Sequence, residues 1–351
     1  MSKICIFGVC VCAINKLENA TMKSAKNLIQ ISTSNRYDFI DVLKAFAIFL
    51  VVYGHLFLST FTHRWIYSFH MPLFIMISGF LLSSKHLDMT LSDLAKDLLY
   101  KYIFPYTIFY VIYIVQEIFL RNISLADVFL FYFDWDNSYY LWFLIILFFC
   151  RISIHFSLRM TSKWVLLAIS LIVANVLIYF AENSNLHLFL MTFFCSFFYY
   201  ILGFCLKDYI KASEYSKKIL LIIAIIALII SLIAPQTLVY GAINSGFNGI
   251  KFLYIPISLF GILALGSISM LLKPNVAFLW LSKNTLLIYG THWLILKMSY
   301  NSFLKIHEII FNVSATSAKV YYALLSLIPV FILAVPLKYI FNRLFPKIFR
   351  A

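Results

Sequence analysis

Lys44 and His55 are ionisable side chains inside a largely apolar run, residues 39–61. Titratable groups in a membrane segment are expensive enough to mark function by default. Their eleven-residue spacing is close to a whole number of helical turns, so one helix presents both on one face, about 16 Å apart along its axis. Histidine titrates near neutral pH, and its neutral imidazole accepts a proton, which makes His55 a candidate general base. Its alternative role is a buried histidine hydrogen-bonded between helices. Lys44 supplies a compact cation near one membrane surface. Asp41, three residues earlier, is placed to pair with Lys44 and orient it, or to form a purely structural pair.

The elements that must hold these residues are membrane helices. Of 351 residues, 63% are hydrophobic and only 12% charged, against about 45–50% and about 25% in soluble domains. Mean hydropathy is +0.93. Apolar runs of spanning length occur at 39–61, 65–82, 98–120, 139–156, 164–180, 186–206, 219–233, 252–272, 277–298 and 321–341. The expected fold is all-α, a polytopic membrane protein of about ten transmembrane helices over 35–345. Residues 1–34 read as an N-terminal cytoplasmic tail, with Met22 as an alternative start. Its apolar stretch at 4–14 is too short to span and is followed by no small-residue cleavage site.

A net charge of +14 does not point to nucleic acid, because the basic residues follow topology. With the N-terminus inside, ten spans place most lysines and arginines on the cytoplasmic side. Only Arg64, Arg121, Lys251, Lys297, Lys305 and Lys319 fall outside. That asymmetry predicts both termini in the cytoplasm. Three of the six cysteines lie before Met22 and none has zinc-ligand spacing, so neither a metal nor a disulfide framework is expected. The longest expected connectors are 121–138, 234–251 and 299–319, all outside. Pro72 is expected to bend its helix, and Ser78-Gly79 to permit a close helix crossing.

Four segments carry a family resemblance. IDVLKAFAIFLVVYGH, ending at His55, resembles the first membrane segment of the acyltransferase 3 family, in which an arginine precedes the histidine; here that place is taken by Lys44. HMPLFIMISGF, beginning at His70, resembles the second segment of a branch that includes fucose acetylase-like proteins. YLWFLIILF from Tyr140 and LSKNTLLIYGTHWLIL from Leu281 are similar to two later segments. The resemblance implies an integral membrane O-acyltransferase of the bacterial plasma membrane. It would move an acyl group, acetyl foremost, from cytoplasmic acyl-CoA to a hydroxyl of a cell-surface, exported or lipid-linked glycan, with no tightly bound cofactor.

On that reading His55, His70 and His292 form the catalytic set. His70 and His292 would orient His55, bind the acceptor or stabilise an oxyanion, or else act as polar anchors. Arg36, Asp41, Lys44 and Asn284 are the donor-binding candidates. Trp142 is the acceptor-binding candidate, unless it is one more tryptophan of the interfacial belt. The alternative is a polytopic transporter or exporter of a lipid-linked glycan, in which Lys44 and His55 would relay protons. Against it stand the ten glycines and the lack of a repeat, both unlike carriers built from broken helices in inverted repeats.

Overall fold

A computed structural model describes residues 38–56, 59–83, 85, 87–121, 141–180, 185–210, 215–242, 246–311 and 319–349. Arg36 and the tail 1–34 lie outside the described residues, as does most of the connector at 121–138. The chain is helical: α1 (Asp38–Gly54), α2 (Thr60–Phe80), α3 (Leu91–Leu98), α4 (Phe104–Arg121), α5 (Trp142–Met160), α6 (Lys163–Tyr179), α7 (Asn185–Leu206), α8 (Lys217–Thr237), α9 (Tyr254–Leu271), α10 (Val276–Lys283), α11 (Thr285–Phe311), α12 (Lys319–Leu325), α13 (Leu327–Leu344) and α14 (Pro346–Phe349). A π-helical turn, Leu99–Ile103, joins α3 to α4.

Helix α8 shows how the fold meets lipid. Ile219, Ile222, Ile226, Ile229 and Ile233 recur at helical spacing and are each more than half exposed, whereas Leu220, Ala224, Ala227, Ser231 and Ala234 on the opposite face are buried. Large apolar side chains outside and small ones inside suit a hydrocarbon solvent, where close backbone approach holds helices together. Among the described residues six helical stretches are long and apolar enough to cross a membrane: Leu91–Gln116, Trp142–Met160, Leu186–Leu206, Lys217–Thr237, Lys251–Leu271 and Lys319–Leu344. Helices α1, α2 and α11 are not among them. These three carry the expected catalytic histidines or lead directly into one. Asp38, Asp41 and Lys44 in α1, Arg64 in α2, and Lys297, Lys305 and Glu308 in α11 lower their hydropathy.

Helix α1 compensates by burial. Twelve of its 17 residues are buried, as expected of a helix apolar on every side within a larger core, and it packs on α2, α9, α10 and α11. Helix α2 crosses α7 at two glycines. A Cβ on Gly79 would stand 1.8 Å from the Tyr200 carbonyl oxygen, and one on Gly203 would stand 2.0 Å from that of Met76. This is the close crossing expected of Ser78-Gly79. Pro72 lies within α2, which continues to Phe80. At its N-terminus, Ser59 caps the helix by accepting from Thr62 N–H. Arg64 donates to the Gln236 carbonyl (3.3 Å) and Gln236 to that of Phe61 (3.0 Å), tying α2 to the end of α8.

Three segments depart from the sequence expectation. The run 277–298 is two helices, α10 and α11, separated at Asn284, and α11 continues through the expected connector to Phe311. The run 321–341 divides at Ser326 into α12 and α13. The connector at 234–251 contains an antiparallel hairpin, β1 (Val239–Ala242) with β2 (Gly246–Gly249), pairing Val239 with Gly249 and Ala242 with Gly246. Gly246 and Gly249 have φ of 89° and 88°, a region that glycine enters without steric cost.

Candidate active site

His55 sits one residue beyond the last turn of α1, and two elements bring aromatic rings to it. From α2, Tyr67 places its hydroxyl 3.3 Å from His55 Nδ1. From α11 come His292, with ring centroids 5.0 Å apart, and Trp293, edge-on at 5.3 Å. Tyr67 also stacks with His63 at 4.0 Å and meets His70 at 4.9 Å. The three histidines expected to converge therefore do so, around a tyrosine.

Local helix geometry sets the state of two of these rings. His292 Nδ1 lies 3.1 Å from the Ile288 carbonyl and 2.7 Å from that of Tyr289, and His70 Nδ1 lies 2.8 Å from that of Ile66. A carbonyl oxygen only accepts, so Nδ1 carries a proton in each ring, and in the neutral imidazole Nε2 keeps its lone pair. His292 is 1% exposed, and its Nε2 has no hydrogen-bond partner among the described residues. A buried acceptor left unmade is costly. Here it stands beside the ring of His55, which is half-buried and opens onto a cleft.

That cleft has a volume of about 460 Å³ and runs between α11 and α12, with His55, Leu56, Trp293, Lys297, Tyr300 and Lys319 among its lining residues. It is in the size range of small-ligand sites.

Of the expected donor-binding residues, Asp41 and Lys44 lie toward the other end of α1 and Asn284 closes α10, which packs on it. Asp41 and His55 are about 21 Å apart along the axis. Asp41 is buried and accepts from the Ser282 hydroxyl of α10 at 2.5 Å. Asn284, also buried, closes α10 by donating to the Trp280 carbonyl at 2.6 Å. Lys44 is half-buried on the same helix. Asp41 and Asn284 are thus brought near one another through α10, and both have a structural bond. Trp142 is buried in the protein. It meets Phe143 edge to face, and Phe143 in turn meets Tyr289, next but two to His292, so Trp142 backs the site at two rings' remove.

A second cleft, of about 550 Å³, begins near the start of α11. Lys96, Asp97, Tyr100, Lys101, Leu286 and Lys347 line it. Asp97 pairs with Lys101 at 2.7 Å and with the buried Arg151 at 3.8 Å. The sequence reading did not select this cluster, because its lysines look like the ordinary basic fringe of a membrane helix. The signal available was Arg151, a guanidinium in the run LWFLIILFFCRISIHF.

The family model described as an acyltransferase domain matches residues 37–343, from the first turn of α1 almost to the end of α13. The chain belongs to the acyltransferase 3 family. It is therefore a membrane acyltransferase. No curated protein and no solved structure matches this acyltransferase significantly.

Proposed function

We propose that this acyltransferase moves an acyl group, acetyl foremost, from cytoplasmic acyl-CoA to a hydroxyl of a cell-surface or exported glycan. The carrying observation is His55 on the wall of a cleft, with the lone pair of His292 Nε2 beside it. In this reading the acceptor hydroxyl enters that cleft and attacks the thioester carbonyl of acyl-CoA while His55 takes its proton; the C–S bond then breaks and CoA leaves as the thiol with that proton. Tyr67 orients the imidazole at Nδ1, which leaves Nε2 of His55 to take the proton, and the His292 ring packs beside it. His70, locked through Ile66, supports Tyr67. The CoA phosphates lie at the opposite end of α1, near Lys44. The distance of about 16 Å from Lys44 to His55 is then bridged by the pantetheine arm.

The same reading gives ten spans: α1, α2, α3 with α4, α5, α6, α7, α8, α9, α10 with α11, and α12 with α13. Both termini are cytoplasmic and the membrane is the bacterial plasma membrane, supported by the lysine and arginine asymmetry. Mass spectrometry of surface polysaccharide from cells with and without the gene tests the function. An acyl-sized mass difference, together with acyl-CoA turnover by purified protein, is the expected result. Identical, unacylated polysaccharide and no turnover of acyl-CoA would refute it and favour an exporter.

A further inference from the structure

The walls of the cleft beside His55 say more about the acceptor than its hydroxyl. On α11, Trp293, Lys297 and Tyr300 follow one another at four and three residues, so they form a column on one face. Lys297 stands about 6 Å further along the axis than Trp293, one sugar ring's breadth from the residue that touches His55. The start of α12 adds Lys319 to the same cleft. Among the described residues the lining has two ammonium groups and no carboxylate. Apart from His55 and Ser326, the rest of the described lining is apolar or aromatic, and Trp293 and Tyr300 offer flat faces on which a sugar's C–H surface can stack.

Two cations over an apolar wall form an anion site of low local dielectric, where charge complementarity is felt more strongly than in bulk water. We infer that the acceptor is an anionic glycan, whose acylated sugar rests on Trp293 with its hydroxyl at His55 while a carboxylate or phosphate on that sugar or its neighbour is held by Lys297 and Lys319. This rests on the acyl-transfer reading above and adds the class of acceptor. The anion has two chemical sources, the carboxylate of an acidic sugar or the phosphate of a lipid carrier, and they are separable by experiment.

Binding to the purified full chain is measured for three probes: an oligosaccharide containing a uronic acid, its carboxyl-reduced neutral counterpart, and that neutral oligosaccharide carried on a polyprenyl diphosphate. One or both anionic probes bind at least tenfold more tightly than the neutral one, and whichever does so identifies the source. Each of Lys297→Gln and Lys319→Gln weakens the preferred probe by roughly tenfold, the scale of a hydrogen bond to a charged group. The double Lys→Arg variant retains the preference and shows that the glutamine effect is one of charge. Equal affinity for all three probes overturns the inference, as does an anionic preference that survives the double glutamine variant. Acyl-CoA turnover is recorded in parallel: its absence, with the anionic preference intact, would refute acyl transfer while leaving the anion site standing.

Discussion

Gly79→Ala tests whether the crossing of α2 and α7 positions the clustered histidines. The added Cβ would lie 1.8 Å from the Tyr200 carbonyl oxygen and 2.7 Å from its carbon, where ordinary contact begins near 3.4 Å. The obstacle is backbone, which has no rotamer to yield, so the helices must part by about 1.5 Å in a close-packed interior. Overpacking on this scale destabilises by about 1–3 kcal/mol. Because Tyr67 and His70 ride on α2, turnover falls with stability. Gly203 faces the same crossing, its Cβ 2.0 Å from the Met76 carbonyl oxygen, so a separation forced by one alanine partly accommodates the other. The double variant should be less destabilised than the sum of the singles. Gly266→Ala in α9 is the control, with nothing within 4 Å of its Cβ, and should be neutral or slightly stabilising. Thermal unfolding in detergent and turnover in proteoliposomes give the two readouts. A Gly79→Ala protein with the stability and turnover of the parent would refute the argument.

Other substitutions separate the roles at the two ends of α1. Tyr67→Phe removes the hydroxyl beside His55 Nδ1 and should lower kcat about tenfold, the order expected for loss of one net hydrogen bond, without changing KM for acyl-CoA. Lys44→Arg should retain activity and Lys44→Ala should raise KM for acyl-CoA, measured by steady-state kinetics; an unchanged KM would make Lys44 a structural neighbour of Asp41. An impermeant thiol reagent on intact cells should label a cysteine at Ser59 and spare one at Lys273, both exposed positions; the reverse pattern would invert the topology.

The histidines were legible in the sequence because each is costly where it stands. His55, His70 and His292 interrupt apolar runs, and alternate crossing directions bring them to one level. Tyr67 was not legible: it is one of 23 tyrosines, amphipathic and at home in any membrane helix, and only the packing of α2 on α1 sets it between two imidazoles. Trp293 and Lys297 adjoin His292 in HWLILK, yet the 3.6-residue period alone does not say which face meets a cleft. The break at Asn284 was hidden because hydropathy averages over a helix end: Trp280 and Leu281 on one side and Leu286 and Leu287 on the other make the run look continuous. The bond from Ser282 to Asp41 spans 241 positions. Long-range polar contacts of this kind leave no local trace.

The central claim is that His55 is the general base of acyl transfer. Single-turnover transfer from acyl-CoA to the glycan acceptor by a folded, membrane-inserted His55→Ala protein measures it directly. The account predicts a rate lower by a factor on the order of 10² to 10⁴ with acyl-CoA binding retained. A His55→Ala protein that transfers at close to the parent rate would contradict it.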